Sequence, residues 1–198
     1  MILGRQGFRL VAGVDEVGRG ALAGPLVAAS VLLDTSRVPE GLCDSKLLEP
    51  QERERLAPVI LSMAVAVSYI VVDPLDVDDT GLGVSNVLAL RRAVRALPVK
   101  PDYVISDHFP LDDLRVPWVG LPKADCMSAA VAAASIVAKV SRDAFMCELD
   151  AAHPGYHFAS NKGYRSEEHW AAIRALGPSP VHRRSFRGVG AYQRGFFD

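Results

Sequence analysis

The sequence contains few cysteines and no long hydrophobic run. Only three cysteines occur among the 198 residues, Cys43, Cys126 and Cys147, and no two of them form a C-x-x-C pair. This odd number argues against a disulfide framework, so we expect a reducing, cytoplasmic location. The longest Ala- and Val-rich stretch, 127–138, has about twelve residues, whereas a membrane-spanning helix needs roughly 20, so we expect no membrane association.

The sequence also lacks an excess of charge of either sign. It has 22 Lys and Arg against 23 Asp and Glu, which gives a net charge of -1. This balance excludes a strongly basic domain that binds nucleic acid with its whole surface, and it excludes an acidic disordered chain. The distribution is uneven, however, because residues 151–198 contain seven basic and three acidic side chains. We therefore expect a basic C-terminal portion that contacts the substrate.

Hydrophobic residues make up 49% of the sequence, enough for the core of one globular domain, which we expect to cover residues 1–198. Strand-like and helix-like periods predict an α/β fold, with a mixed β-sheet flanked by α-helices and a helical C-terminal portion. The predicted strands are 8–14, 26–33, 63–72, 103–106 and 116–121, and the predicted helices are 49–62, 84–97, 125–150 and 166–176.

Four acidic residues stand at the ends of predicted elements. Asp15 and Glu16 follow the first apolar run, Asp107 follows the fourth strand, and Asp125 precedes the long helix. Each also fits a structural role, such as a polar strand end, a turn or a helix N-cap. If the four converge, pairs about 5 Å apart repel by roughly 3 kcal/mol at an effective dielectric of 20, so divalent cations or protonation are required. Oxygen ligands favour Mg²⁺ or Mn²⁺, and such sites typically catalyse phosphoryl transfer.

A glycine-rich stretch follows Asp15 and Glu16. Successive residues of a strand point to opposite faces, so these two carboxylates share one site only if the strand ends or kinks there. The glycines make a kink inexpensive, and their spacing does not match the dinucleotide-binding fingerprint. The turn Gly18-Arg19-Gly20, called the GRG turn below, instead offers backbone amides that can approach a sugar or a phosphate.

Aromatic and cationic side chains are interleaved in the C-terminal quarter. This pattern suits stacking on sugars or bases and contacts with phosphates, although an ordinary basic surface fits it as well. In another segment, Asp44-Ser45-Lys46, the lysine can contact a phosphate or belong to a plain loop. The C-terminal residues are Tyr156, Phe158, Asn161, Lys162, Gly163, Tyr164, Arg165, His169, His182, Arg183, Arg184, Phe186 and Arg187.

Seven motifs, in this order, resemble those of the bacterial ribonuclease HII family of type 2 ribonucleases H. The similarity extends from about residue 11 to residue 186. The motifs are Asp15-Glu16-Val17-Gly18-Arg19-Gly20, Asp44-Ser45-Lys46, Asp107, Lys123-Ala124-Asp125, the segment 132–139, Asn161-Lys162-Gly163-Tyr164 and His182-Arg183-Arg184-Ser185-Phe186.

The resemblance implies an RNase H-like fold and endonucleolytic activity. The expected substrates are RNA–DNA hybrids and duplex DNA with single embedded ribonucleotides. Cleavage 5′ to the ribonucleotide by two Mg²⁺ or Mn²⁺ ions would leave a 3′-hydroxyl and a 5′-phosphate. The implied roles are the removal of ribonucleotides and RNA primers from DNA, and we expect a monomer.

The resemblance also implies roles for individual residues. The GRG turn would recognise the 2′-hydroxyl of the ribonucleotide, largely through its backbone. Tyr164 would stack on the deoxyribose beside the RNA–DNA junction, and Lys46 would hold a phosphate. The metal-binding carboxylates would be Asp15, Glu16, Asp107 and Asp125.

Two positions depart from the family pattern. Ala124 stands where the family commonly has Gly, which should be harmless unless this residue requires a positive φ. His108 stands where Gly often follows the third aspartate, and it is either a loop residue or one that contacts substrate or assists a proton transfer.

The segment Gln193-Arg194-Gly195-Phe196-Phe197 faintly resembles the pentapeptides by which bacterial proteins dock on the sliding clamp. A terminal aromatic pair that packs on the protein is the alternative. A metal-dependent nuclease or phosphatase with a different substrate also fits the acidic residues. A non-enzymatic alternative is a hybrid-binding or clamp-associated module with a degenerate site, against which the four intact acids argue.

Overall fold

A mixed five-stranded sheet organises the computed structural model, which describes residues 2–42 and 48–193. The strands are β1 (Leu10–Val17), β2 (Leu26–Asp34), β3 (Ala66–Val72), β4 (Tyr103–Asp107) and β5 (Trp118–Leu121). Their order in the sheet is β3-β2-β1-β4-β5. β1 pairs antiparallel with β2 and parallel with β4, and β4 pairs parallel with β5. The predicted mixed sheet is confirmed.

Seven α-helices lie among the described residues. They are α1 (Ile2–Arg5), α2 (Pro50–Met63), α3 (Pro74–Thr80), α4 (Leu82–Arg95), α5 (Ala129–Ala152), α6 (Phe158–Asn161) and α7 (Glu167–Leu176). Within the described ranges, no helix combines the length and apolar character needed to cross a membrane.

The long helix begins four residues later than the predicted start at 125. Asp125 belongs to a separate 3₁₀ turn, Ala124–Cys126, and Lys123 before it has a left-handed backbone with φ 59°. Likewise, β3 begins at Ala66 instead of residue 63, because α2 continues through Met63.

The sequence pattern gave no indication of α3. Asp73 and Pro74 were predicted only to end a strand, but Pro74 occupies the first turn of this helix. Proline is favoured there because its fixed φ suits a helix and its missing N–H is not needed.

Two compact units divide the chain, and neither is a continuous stretch of sequence. Unit 1 comprises Met1–Val17, Val27–Ile70 and Val87–Val140, and unit 2 comprises Gly18–Leu26, Val71–Asn86 and Ser141–Asp198. The four predicted metal-binding acids all belong to unit 1. The GRG turn and Tyr164 belong to unit 2. The expectation of a single domain stays a prediction.

Small residues bring α5 onto the backbone of β1 in the core of unit 1. A Cβ atom added at Gly13 would lie 2.0 Å from the carbonyl carbon of Ala130, so helix and strand touch without an intervening side chain. Ala133 and Ala134 of the same helix are fully buried. This contact fixes the start of α5, and therefore also the turn that carries Asp125.

Part of the C-terminal aromatic and cationic set forms the core of unit 2. The pattern suggested side chains open to nucleic acid, but for five of them this interpretation is wrong, since none is more than 7% exposed. Aromatic rings and histidines pack against one another here, with ring centroids 5.0–5.6 Å apart. The five buried residues are Tyr156, Phe158, His169, His182 and Arg183.

Candidate active site

Asp15 and Asp107 lie on neighbouring parallel strands. Val14 of β1 is paired with Ser106 of β4, so the next residue of each strand, an aspartate in both cases, reaches the same edge of the sheet. The carboxyl ends of parallel strands are where sites form in α/β proteins. Asp15 is only 5% exposed, and its Oδ1 accepts a hydrogen bond of 2.8 Å from the N–H of Glu16.

The third acid comes from the 3₁₀ turn that follows β5. The N–H of Ala124 in this turn donates to Oδ1 of Asp107 at 2.9 Å, which ties the turn to the end of β4. The next residue, Asp125, is 3% exposed. One carboxylate oxygen from each of Asp15, Asp107 and Asp125 lies within 4.8 Å of the other two. Three of the four predicted carboxylates therefore converge.

Glu16 is not a member of this group of three. β1 neither ends nor kinks at Asp15, because its pairing with β2 continues regularly through Val17, which lies opposite Val27. Successive strand residues point to opposite faces, so regular pairing separates the side chains of Asp15 and Glu16. A metal-binding role for Glu16 stays a prediction.

The three clustered carboxylates fit a divalent cation. At separations near 5 Å, each pair repels by about 3 kcal/mol at a dielectric of 20, and burial of Asp15 and Asp125 removes water that would screen the charges. A cation between these oxygens offsets the repulsion. Carboxylate oxygens suit hard cations such as Mg²⁺ and Mn²⁺.

A buried arginine holds the GRG turn from the inside. The Nη1 group of Arg183 donates to the carbonyls of Gly18 at 2.6 Å and Arg19 at 3.1 Å, while its Nε and Nη2 donate to the carbonyl of Gly24 at 3.2 and 2.9 Å. Burial lowers the pKa of Arg183 to about 10, so the guanidinium remains cationic at neutral pH. The carbonyls of Gly18 and Arg19 are thus directed towards the buried guanidinium.

The two glycines of the GRG turn differ in their surroundings. Gly18 has φ 92°, and a Cβ atom added there would lie 2.3 Å from Nε of Arg142 and 2.8 Å from the carbonyl oxygen of Pro25. Gly20 is exposed, and a Cβ atom there would meet no heavy atom within 4 Å among the described residues. Gly18 is therefore required by the fold, whereas at Gly20 the space beside the backbone is open.

Tyr164 is supported on its ring and on its backbone. The guanidinium carbon of Arg142 lies 5.0 Å from the ring centroid, within the range of a cation–π contact. The backbone N–H of Tyr164 donates to the carbonyl of Asn161 at 2.9 Å. Its carbonyl is 2.9 Å from Nδ1 of His169.

A buried pair of histidines supports that carbonyl. The N–H of Ser179 donates to Nδ1 of His182 at 3.0 Å, so the proton of neutral His182 resides on Nε2. This Nε2 donates to Nε2 of His169 at 3.0 Å, which leaves Nδ1–H of His169 to donate to the carbonyl of Tyr164. This complete set of bonds requires both rings to be neutral, because Nδ1 of His182 and Nε2 of His169 each accept a hydrogen bond. Burial lowers the pKa of His169 and, with the neighbouring histidine, lowers the pKa of His182 to about 4.

Because of this histidine pair, we expect the free energy of unfolding to fall by about 2 kcal/mol as the pH is lowered from 6.5 to 4.5. The unfolded chain binds a proton at His182 near its ordinary pKa of 6.5, whereas the folded protein does so only near 4. The stabilisation is complete above pH 6.5 and is lost as the pH falls through this window. Urea unfolding in EDTA measures it, and His182→Gln should show a shallower decline. If the free energy of unfolding fell equally with pH in the unmodified chain and in His182→Gln, the pH dependence would not come from His182.

The structure also bears on the two departures from the family pattern. His108 has φ 67°, a conformation that glycine adopts without strain, which agrees with the glycine that the family pattern often has after the third aspartate. Ala124 is fully buried and its φ is not positive, so its methyl group is accommodated. Lys46 and the segment 194–197 lie outside the described residues.

Two buried arginines with clear structural partners, Arg142 and Arg183, were missed as site residues. A signal for Arg142 exists in the sequence, because it lies four residues after Ala138 and four before Met146. Such spacing places all three on one face of α5, and all three are fully buried. The burial of Arg183 was not predicted, because its basic neighbours in the sequence are typical of an exposed surface.

The sequence of the chain is similar to those of proteins from one family. The family model of ribonuclease HII matches residues 12–189. Ribonuclease HII of Salinispora arenicola (strain CNS-205) is 50% identical over 189 residues, which cover 94% of this chain and 70% of that protein. Ribonuclease HII of Cutibacterium acnes is also 50% identical over 189 residues, covering 94% of this chain and 93% of that protein.

Solved structures with the same fold support this relationship and confirm the predicted RNase H-like fold. The ribonuclease H2 of Pyrococcus horikoshii OT3 has a TM-score of 0.80 and 26% identity, covering 93% of this chain and 97% of that one. The PCNA:RNase HII complex from Archaeoglobus fulgidus contains a chain with a TM-score of 0.75 and 27% identity, with coverages of 88% and 93%. The chain therefore belongs to the ribonuclease HII family, whose members are divalent-metal-dependent endonucleases that act on the RNA of RNA–DNA hybrids.

Proposed function

We propose that the chain, besides acting on RNA in RNA–DNA hybrids as its family does, cuts 5′ to single ribonucleotides embedded in duplex DNA. The products are a 3′-hydroxyl and a 5′-phosphate, which suits the removal of ribonucleotides and RNA primers from DNA. The observation that carries the proposal is the group of three carboxylate oxygens within 4.8 Å of one another. The GRG turn adds support because it follows β1, the strand that carries Asp15.

We assign Mg²⁺ or Mn²⁺ to Asp15, Asp107 and Asp125, with two ions present when substrate is bound. Divalent cations in such a site supply the activation of a water molecule and the neutralisation of charge on the scissile phosphate. The protein's part is to orient the oxygens. Asp15 and Asp107 each accept a backbone N–H at Oδ1, which fixes both carboxylates before substrate binds.

The GRG turn provides recognition of the 2′-hydroxyl. Arg183 holds the carbonyls of Gly18 and Arg19 inward, which favours a contact between the amides of the turn and the substrate. The open space at Gly20 permits a sugar to approach the backbone closely. Tyr164 stacks on the adjacent deoxyribose, and Lys46 holds a phosphate.

Duplexes that differ in one sugar test this proposal. We expect cleavage of a duplex with one ribonucleotide to exceed cleavage of the all-DNA duplex by at least about a hundredfold, because a site built to bind a hydroxyl rejects a substrate without it. A duplex with one 2′-fluoro nucleotide is the matched control, since it lacks the hydroxyl donor but favours a ribose-like pucker. Equal rates on the ribonucleotide and all-DNA duplexes would contradict the proposal.

We further propose that the segment Gln193-Arg194-Gly195-Phe196-Phe197 contacts the sliding clamp. The likeness to the chain in the archaeal PCNA:RNase HII complex supports this proposal. A pull-down that compares the chain with a variant ending at Tyr192 tests it. Equal retention of the two proteins on the clamp would contradict it.

A further inference from the structure

Arg142 is fully buried in unit 2, and all three of its guanidinium nitrogens donate to backbone carbonyls. Nε donates to Pro25 at 2.9 Å, and Nη2 donates to Ala23 at 3.2 Å. Nη1 donates to Lys162 at 2.9 Å. The first two carbonyls lie on the segment that continues from the GRG turn, and the third lies two residues before Tyr164. One side chain therefore connects the two proposed substrate-contacting features of unit 2.

The connected segments also touch directly through their backbones. The N–H groups of Leu22 and Ala23 both point to the carbonyl of Gly163, at 2.7 and 3.3 Å. A Cβ atom added at Gly163, which has φ 76°, would lie 2.3 Å from the carbonyl oxygen of Ala23. The spacing of the two segments is thus set by close contacts, and Arg142 occupies the space beside them.

Burial of a guanidinium in that space costs free energy. Burial lowers the pKa of Arg142, which records the cost of removing the charge from water, although Tyr164 and Asp143 partly offset the shift. Well-packed apolar residues often stabilise a core as much as buried charges do. The planar guanidinium, however, is able to hold carbonyls in three fixed directions while it lies 5.0 Å from the Tyr164 ring. A lysine would keep the charge and lose this geometry.

We propose that Arg142 is a positioning residue for ribonucleotide discrimination. It fixes the separation between the GRG turn and the ring of Tyr164, so that the 2′-hydroxyl and the neighbouring deoxyribose are recognised together. This inference rests on the proposed function, because it assigns the two features to the same substrate.

The test compares Arg142→Lys with the unmodified chain on a duplex with one ribonucleotide. We expect kcat/KM to fall at least tenfold, mainly through KM, and the preference over the 2′-fluoro duplex to shrink. Loss of folded protein alone would lower the apparent kcat and leave KM unchanged. The Mn²⁺ affinity, measured by calorimetry, should stay within twofold, since the carboxylates belong to unit 1.

A double-mutant cycle with Tyr164→Ala identifies the route of the effect. If Arg142 acts by placing this ring relative to the turn, Arg142→Lys should change kcat/KM less than threefold once the ring is absent. Arg174→Lys is the matched control, because Arg174 lies in the same unit, is half exposed and pairs with Glu167 at 3.5 Å. It should behave like the unmodified chain.

Additive effects in the cycle, an unchanged KM, or normal discrimination by Arg142→Lys would each overturn the inference. If Arg142→Lys does not fold, Arg142→Gln removes the buried charge and is subjected to the same measurements and criteria. Failure of the unmodified chain to prefer the ribonucleotide duplex would instead overturn the proposed function, and the inference with it. The two failures are therefore distinguished before any variant is compared.

Discussion

The Asp15→Asn variant is expected to cleave a ribonucleotide-containing duplex about a thousandfold more slowly than the unmodified chain and to lose most of its Mn²⁺ affinity. Asparagine preserves the shape of the side chain and an oxygen that can accept the N–H of Glu16, which lies 2.8 Å from Oδ1 in the structure. The substitution therefore removes a charged metal ligand and leaves the local backbone supported. Single-turnover cleavage and calorimetric titration with Mn²⁺ measure the two losses.

In contrast to its activity, the stability of Asp15→Asn without metal should increase. Without metal, three carboxylate oxygens within 4.8 Å of one another repel, so removal of one charge should raise the free energy of unfolding in EDTA by about 1 kcal/mol. A variant that is less active and more stable cannot owe its inactivity to unfolding. Excess Mn²⁺ should reverse the order, because only the unmodified chain gains the full stabilisation from binding.

Asp113→Asn is the control for this experiment. Asp113 is an exposed carboxylate of the same unit that pairs with Arg91 at 3.2 Å, and asparagine tolerates its φ of 74°. Its cleavage rate should remain within twofold of normal. Cleavage by Asp15→Asn at more than a tenth of the normal rate, or an equal loss in Asp113→Asn, would refute the proposed centre.

Alanine substitutions at the two glycines of the GRG turn should separate folding from recognition. At Gly18, alanine meets both a positive φ and the close approach of Arg142, so we expect a loss of about 2–3 kcal/mol in stability together with lost activity. At Gly20, stability should change by less than about 1 kcal/mol, since the space is open. We nevertheless expect Gly20→Ala to lower kcat/KM about a hundredfold on the single-ribonucleotide duplex, because the methyl group blocks the approach of the sugar.

Urea unfolding and steady-state cleavage of the same preparations provide both readouts. Gly83→Ala serves as the control, because Gly83 lies in α4, its φ is not positive, and a Cβ there would meet no described heavy atom within 4 Å. Alanine in this helix should raise stability by up to about 1 kcal/mol and leave cleavage unchanged. Normal activity of Gly20→Ala would show that the substrate does not approach the turn at this residue.

The strands that carry Asp15 and Asp107 were predictable from short apolar runs, because each run ends at a polar residue that marks the edge of the sheet. Their side-by-side placement was not predictable from periodicity. It depends on a parallel pairing of Val14 with Ser106, and the intervening residues include β2, β3 and three helices. The convergence of Asp125 depends further on the hydrogen bond from Ala124 to Asp107. The convergence of these acids was predicted from the order of the motifs along the chain, which carries the family resemblance, and not from local patterns.

The C-terminal quarter shows where composition misleads. Aromatic and cationic side chains are interleaved here, so His169, His182 and Arg183 were interpreted as possible substrate contacts. In the structure each is fully buried, and its polar atoms bond to backbone groups or to a second ring. The partners of Arg183, such as Gly18, come from a segment distant in sequence that no local window includes. Charge alone does not distinguish a residue that binds a phosphate from one that supports a turn.

The acidic cluster is assembled from separate strands, so a partly synthesised chain cannot contain all of it. The antiparallel pair β1 and β2 can form early, but the parallel partner β4 and the turn that carries Asp125 emerge from the ribosome much later. A chain that stalls or is degraded before residue 107 contains only one member of the cluster, Asp15. Incomplete translation products are thus expected to be inert towards the RNA that surrounds them.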